Sequence, residues 1–416
     1  MTEKIKNIFI PVLQRFWIAF ELFQKNKLMN HAAAGAYGFL LSAAPVLLII
    51  SFFASRALVN SPELVVGMLE GISFLSGVIN AGDFISDFLG SANSGWAGLI
   101  SVIPLLWTAR LCALSMQRGL GVIFPATRSN PIKTTVIPLA LGILIILFIF
   151  IMLMGSTIAQ YFYDSFGFAF MRWISSVDHF LPVFLSLMVL VFYRIIPARP
   201  PKWKYIIYGV LTCMIFFLIF SSLFSLLIGP DRYNLLYGAL GRLFLLLVNV
   251  YFFFAFFLFG AQLIMVMGFS DALLFIQFRK QMSKVSLVFP WKKIFVSLPS
   301  PLKKYCGFFK EGEVIFSKGS QGQEVYYILS GKVGVYLEDK CLNRVALIED
   351  NHFFGEMEFV VSEGRTASIK AETDLSVIIL PRELFRDILK TDHDTDQKII
   401  LDLSERLRSI NKQVVS

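Results

Sequence analysis

Six stretches of predominantly apolar residues, at roughly 33–54, 94–114, 136–156, 177–197, 205–228 and 243–267, constrain this chain more than any other feature. A hydrocarbon slab about 30 Å thick is crossed by a helix of about 20 apolar residues, so the pattern predicts an α-helical transmembrane bundle of about six spans. One soluble core cannot absorb that much apolar surface, since 56% of the 416 residues are hydrophobic, 16% are charged and 43 are Phe. Charge is scarce from His31 to Gly268 and returns to the level of a water-soluble protein from Phe269 onward. The expected organisation is a membrane domain over 1–270, a basic juxtamembrane linker over 271–305 and a cytosolic domain over 306–416.

The net charge of +9 sits in short clusters beside the apolar runs rather than on one extended face. Such clusters meet anionic headgroups and set topology, so the expected partner is the lipid bilayer and not nucleic acid. The N-terminus, the loop with Arg118, Arg128 and Lys133, the loop with Arg194, Arg199, Lys202 and Lys204, and the exit segment with Arg279, Lys280 and Lys284 are basic. Residues 55–93 carry Arg56 against Glu63, Glu70, Asp83 and Asp87. The bias places both termini in the cytosol, as an even number of spans requires, and predicts a multi-pass protein of the cytoplasmic (inner, plasma) membrane. No small-residue cleavage site follows a short apolar core near Met1, so no removable signal is expected.

Between the first two spans, Leu64, Met68, Ile72 and Leu75 recur at helical spacing, which predicts an amphipathic helix at the outer interface. Polar groups within spans are the candidates for function in the membrane domain: Arg110, Asn234 and Gln262. Arg110 is costly in hydrocarbon unless it snorkels, pairs or meets an anionic headgroup or solute. Asn234, Tyr237, Gly238 and Gly241 read as a turn entering the last span, and Asn249 and Gln262 as hydrogen-bonding glue between helices. Pro45, Pro104, Pro138 and Pro182 predict bends. The four cysteines, Cys112, Cys213, Cys306 and Cys341, lack metal or redox spacing and read as free thiols, and the four histidines are scattered, so no metal site is expected.

Several segments resemble one family. They are His31-Ala-Ala-Ala-Gly-Ala-Tyr37 with Pro45, Leu106-Trp107-Thr108-Ala109-Arg110, Tyr193-Arg194-Ile-Ile-Pro197 with Trp203, Tyr233-Asn234-Leu-Leu-Tyr237-Gly238-Ala-Leu-Gly241, and Gly260-Ala-Gln262-Leu263. In order and spacing they are similar to the YihY/virulence factor BrkB family, also labelled ribonuclease BN-like. The resemblance implies a six-helix bundle and a transporter or lipid-handling role. Where the family usually has Gly-Ala-Glu-Leu, this chain has Gln262, which leaves no carboxylate for a proton- or cation-linked step. Phosphodiester hydrolysis needs clustered metal ligands in water, and without them no enzymatic activity and no catalytic residue is expected.

From Phe308 the pattern changes to short alternating strands: 314–316, 325–329, 332–336, 345–348, 367–371 and 375–380, punctuated by Gly312, Gly319, Gly322, Gly331 and Gly355. That is the signature of a small β-roll or jelly roll. Helices are expected at 381–390 and 395–412, the second with Ile399, Ile400, Leu403 and Leu407 on one face. No helix-turn-helix pattern follows, so a transcription factor of the catabolite-activator type is not expected.

Phe354-Gly355-Glu356-Met357-Glu358-Phe359 followed by Arg365-Thr366-Ala367-Ser368 resembles the phosphate-binding cassette of cyclic nucleotide-binding domains. The resemblance implies a regulatory ligand, cAMP or cGMP, held by Gly355, Glu356, Met357, Glu358, Arg365 and Thr366, with no cofactor. Arg365 suits bidentate pairing with a cyclic phosphate, the backbone amides after Gly355 suit an anion, Glu356 suits the ribose 2′-hydroxyl, and the Thr366 hydroxyl suits the phosphate or a guanine amino group. The second residue after Glu356 is usually small in that family, and here it is Glu358. Turned inward, its carboxylate opposes the phosphate; turned to solvent, only its backbone takes part. Two functions follow, a nucleotide-regulated transporter or lipid-handling protein, and a non-transporting membrane sensor or scaffold. Either is compatible with a homo-oligomer.

Overall fold

The computed structural model describes residues 3–57, 111, 113–124, 177–197, 200–228, 230–282, 300–337, 344–361 and 364–392, with scattered positions between 136 and 155 and at 397 and 404. Arg110, Cys112, Cys341, the helix expected over 64–89 and nearly all of the spans expected at 94–114 and 136–156 lie outside the described residues. So does most of the terminal helix expected over 395–412. Contacts divide the chain into two compact units, Ala19–Gly268 and a second that joins Phe269–Ser416 with Met1–Ile18.

The helices of the first unit are α1 (Glu3–Lys25, whose first part belongs to the second unit), α2 (Leu28–Ala57), α3 (Val177–Ile195), α4 (Trp203–Ile228) and α5 (Pro230–Gly268), with residues 113–123 also helical. Among the described residues two helices are long and apolar enough to cross a membrane, Trp203–Leu227 and Leu243–Gly268, with a shorter apolar helix at Pro182–Ile195. The core lies where α5 packs on α4 and α2, around Phe192, Tyr193, Cys213, Phe254, Phe257, Leu258 and Ile264. On α4, Ile207, Leu211, Ile215, Leu218 and Leu226 point away from that core and are about half to four-fifths exposed. In water this stripe would be an aggregation site, whereas lipid tails solvate it.

α4 and α5 touch through their glycines. A Cβ on Gly260 would come within 2.5 Å of Tyr193 Oη and 2.6 Å of the Gly209 carbonyl oxygen, so only hydrogen fits at this crossing. Tyr193 Oη donates to the Phe257 carbonyl, and its ring stacks on Phe257 with centroids 5.2 Å apart.

Two expectations for this unit need correction. The stretch from Asn234 to Gly241 is not a turn: it lies inside α5, which begins at Pro230, because a proline at the start of a helix forfeits no internal hydrogen bond and the two glycines are outweighed by the apolar run that follows. Among the described residues Asn249 makes no bond to a second helix: its Nδ2 donates to the Leu245 carbonyl one turn earlier, 3.1 Å away.

The second unit begins with α6 (Ser270–Met282), separated from α5 by Phe269 alone. A 3₁₀ turn (Ser300–Tyr305) leads, among the described residues, into eight strands: β1 (Cys306–Phe309), β2 (Val314–Phe316), β3 (Val325–Ser330), β4 (Val333–Tyr336), β5 (Arg344–Ile348), β6 (Phe353–Phe354), β7 (Ser368–Ala371) and β8 (Leu375–Leu380). They form two antiparallel sheets, ordered β1-β8-β3-β6 and β2-β7-β4-β5. Ile328, Val333, Ile348, Phe354, Ile369, Leu375 and Val377 fill the space between the sheets. Two short helices, α7 (Met357–Val361) and α8 (Arg382–Thr391), accompany the strands. α8 buries Leu384, Phe385 and Ile388, and Phe385 meets Phe353 and Phe359 edge-on, with centroids 5.9 and 5.1 Å apart.

α6 is an integral part of this unit. Phe275 and Arg279, aromatic and basic residues of the kind that sits among headgroups, are instead buried. Phe275 packs against Tyr327 and Phe353 at centroid separations of 5.2 and 6.1 Å, and Arg279 pairs with Asp392 at the end of α8.

Candidate functional site

The site grows out of the connection between β6 and β7. Phe354 ends β6 in the core, and Gly355 then adopts φ +79°, a left-handed conformation that costs glycine nothing. A side chain there would fail for a second reason, because its Cβ would come within 2.6 Å of Arg365 Nη1. The turn sends Glu356 inward, where it is buried, and starts α7 with Met357 and Glu358.

Arg365 enters from the opposite side. Its backbone is pinned by the β2–β3 loop, through Gly319 N to Arg365 O at 2.7 Å and Arg365 N to Ser320 O at 3.2 Å. Its side chain is 3% exposed, and the guanidinium carbon lies 4.1 Å from the centre of the Phe316 ring and 5.8 Å from that of Tyr326. Nη1 donates to the Gly355 carbonyl and Nη2 to the Glu324 carbonyl, both at 2.9 Å. These bonds hold the guanidinium plane in place before any ligand arrives. Burial pushes the nearby Tyr326 phenol above its ordinary range, with Arg365 pulling the other way.

Gly355, Glu356, Met357, Glu358, Arg365 and Thr366 all line one cavity of about 230 Å³. Its other wall is apolar, made by Val335, Leu337, Ala346, Ile348 and Ile369. A polar end beside Arg365 and Glu356 and an apolar end built from β4 and β5 match an anionic, sugar-like group joined to a flat base. Of the two orientations open to Glu358, the inward one is present: its side chain is 15% exposed and Oε2 lies 3.2 Å from Arg365 Nε.

Four contributors escape a sequence reading. Phe316 floors the guanidinium, Glu324 orients it through a backbone carbonyl, and Val335 with Ala346 closes the apolar wall. The position of Phe316 just before Ser317-Lys318-Gly319 was the available signal, since that turn brings β2 back beside Arg365. Glu324 holds Nη2 through its main-chain carbonyl, a contact with no side-chain signature, while its carboxylate lies 3.7 Å from the same nitrogen.

In the helical unit the proposed polar residues separate. Gln262 is buried and its Oε1 accepts from Asn26 Nδ2 at 3.4 Å, joining α5 to the α1–α2 turn. Asn234 lies earlier in α5, where the backbone alone is described. Arg194 is held by its own loop, its guanidinium 4.9 Å from the Trp203 ring centre and donating to the Pro201 carbonyl.

Comparison with known proteins identifies both units. Residues 19–271, more than half of the chain, match the family model described as virulence factor BrkB. The chain belongs to the virulence factor BrkB family. In this BrkB-family chain residues 307–392 additionally match the cyclic nucleotide-binding domain. A UPF0761 membrane protein of Aggregatibacter aphrophilus is 26% identical over 267 residues, which span 61% of this chain and 90% of that protein. Other proteins are similar over the second unit. A CRP-like cAMP-activated global transcriptional regulator of Mycobacterium tuberculosis is 26% identical over 108 residues, 26% of this chain and 48% of the regulator. Among solved structures, the catabolite activator protein of Thermus thermophilus is similar at 28% identity and a TM-score of 0.24, covering 26% of this BrkB-family chain and 52% of that one. The chain is thus a BrkB-type membrane protein fused to a cyclic nucleotide-binding domain.

Proposed function

We propose that this protein is a six-span transporter or lipid-handling protein of the cytoplasmic membrane, with both termini in the cytosol, regulated by a cyclic nucleotide. The ligand assignment is carried by one observation: Glu356 and the rigidly held Arg365 converge at the polar end of a cavity whose other end is apolar. The nucleotide would place its phosphate against Arg365, its ribose against Glu356 and its base against Val335 and Ala346. The reading assigns no catalytic residue.

Regulation has a covalent route. α6 starts two residues after α5 ends, and it is buried in the nucleotide-binding unit through Phe275 and Arg279. Any ligand-driven shift of α8 is therefore felt at the end of the last apolar helix. Coupling of this kind is typically worth about 1–3 kcal/mol. The non-transporting sensor is favoured by one detail, the buried amide Gln262, which is engaged with Asn26 and carries no charge to move.

The test uses the full chain. Purified protein in lipid nanodiscs is titrated with cAMP and cGMP; binding at micromolar concentrations is expected, and none at millimolar ligand refutes the ligand assignment. The same protein in vesicles containing a fluorescent phospholipid is then assayed for transbilayer lipid exchange. Exchange that changes on adding nucleotide supports the lipid-handling role. Saturable nucleotide binding without any exchange supports the sensor.

A further inference from the structure

The polar end of the cavity is not simply a cationic seat awaiting an anion. Arg365 is the cation among its lining residues, and two carboxylates lie against that cation, Glu358 at 3.2 Å from Nε and Glu324 at 3.7 Å from Nη2, with the buried Glu356 lining the same cavity. Two guanidinium edges are already committed to the Gly355 and Glu324 carbonyls. Each Nη keeps a second N–H, and Nε presents the edge that Glu358 covers.

The contact between Glu358 and Arg365 is close but badly aligned. At 3.2 Å the charges attract strongly, yet Arg365 Nε and Glu358 Oε2 are both buried without satisfying a hydrogen bond. A buried polar atom left unsatisfied loses its hydration with no bond in exchange. The carboxylate therefore holds its position by charge alone, and a phosphate oxygen approaching along the Nε–H direction would recover what this geometry forgoes. Both anions cannot remain, because like charges forced together at a buried site cost several kcal/mol.

We propose that Glu358 is a built-in competitor for the phosphate: it occupies the Nε face of Arg365, and a cyclic nucleotide binds by exchanging its phosphate for this carboxylate. Glu358 is then the residue that sets affinity, and it does so by charge. It weakens ligands that bring an anion to Arg365 and leaves an uncharged nucleoside, which fills the sugar and base positions alone, unaffected. The exchange also gives the site a mechanical output. Glu358 and Phe359 are consecutive on the five-residue α7, and Phe359 packs edge-on against Phe385 of α8, so expelling the carboxylate displaces a helix already in contact with α8. This inference rests on the cyclic-nucleotide reading and adds a determinant to it.

The experiment titrates the full chain in nanodiscs with cAMP, cGMP, adenosine and guanosine, for wild type, Glu358→Gln and Glu358→Ala. Glu358→Gln keeps the size of the side chain, so that a folding defect in the alanine variant does not decide the outcome. Both variants are expected to bind cyclic nucleotides at least about tenfold more tightly than wild type, equivalent to about 1.4 kcal/mol, with nucleoside affinity changed less than about twofold. Equal cyclic-nucleotide affinity in wild type and Glu358→Gln overturns the exchange and leaves the ligand assignment standing. A gain for nucleosides equal to that for nucleotides also overturns it, because the effect would then not be one of charge. Absence of cyclic-nucleotide binding in all three proteins overturns the ligand assignment and the exchange together.

Discussion

Arg279 Nη2 of α6 lies 3.0 Å from Asp392 Oδ2 at the end of α8, with both side chains less than a tenth exposed. Lys280 approaches the other oxygen of the same carboxylate at 2.8 Å. One buried acid thus ties the helix that leaves the apolar domain to the helix that follows the β-roll. This is the polar part of a joint whose apolar part is Phe275 against Tyr327 and Phe353.

Removing that acid should loosen the joint. Breaking a buried ion pair by deleting one partner typically costs about 3–5 kcal/mol, so Asp392→Ala is expected to destabilise this unit by about that amount. Hydrogen exchange on the full chain should show α6 and α8 losing protection together. Unchanged protection of α6 would show that Asp392 does not hold it.

Loss of the guanidinium should abolish tight ligand binding. Arg365→Ala removes the cation and leaves the Gly355 and Glu324 carbonyls without their donor. The expected loss of cyclic-nucleotide affinity is about 2–5 kcal/mol, measured by equilibrium titration of the full chain. Wild-type affinity in this variant would refute the role given to Arg365.

Alkaline pH should release the start of α6. Lys304 Nζ and Tyr305 Oη both donate to Asp271 Oδ2, at 2.8 and 3.0 Å. The hydrogen bond to Asp271 holds the Lys304 ammonium pKa above the usual lysine range, and burial raises the Tyr305 phenol. Folded values raised in this way contribute stability that is complete below the unfolded pKa and lost as pH climbs through the folded one. With unfolded values near 10, the contribution is intact at neutral pH and fades above about pH 10. Asp271→Asn should therefore melt below wild type at pH 8, with the gap narrowing as pH rises above about 10. A gap independent of pH would contradict the assignment.

The crossing of α4 and α5 should not tolerate a methyl group. Gly260→Ala would drive a Cβ against Tyr193 Oη and the Gly209 carbonyl, and overpacking of this kind costs about 1–3 kcal/mol. The detergent-solubilised protein is expected to melt at a lower temperature than wild type. An equivalent substitution at Gly121, where a Cβ would meet open space, serves as the control.

Much of this protein was legible in its residues because the relevant signals are local. Apolar run length marks Trp203–Leu227 and Leu243–Gly268 as helices fit for a bilayer, since the span of a helix depends on residue count alone. Period-two alternation marked six of the eight strands, and the two it passed over are short: Cys306–Phe309 carries little alternation and Phe353–Phe354 is held only by pairing with β3. The spacing from Gly355 to Arg365 was enough to gather the cassette, because the turn that creates it is written in adjacent residues.

What the tertiary structure decided depends on residues far apart in sequence. The basic, aromatic character of Ser270–Met282 suits a headgroup layer or a protein interior equally well, and only the positions of Tyr327, Phe353 and Asp392 place Phe275 and Arg279 inside the nucleotide-binding unit. Asn234 to Gly241 carries turn-forming residues, yet the helix continues through them as part of α5, since local propensity yields to the longer helical run. The orientation of Glu358 was open in the same way. A carboxylate on a short helix points to water unless something within reach attracts it, and the attraction comes from Arg365, placed there by the Phe316 ring beneath it and by the carbonyls of Gly355 and Glu324.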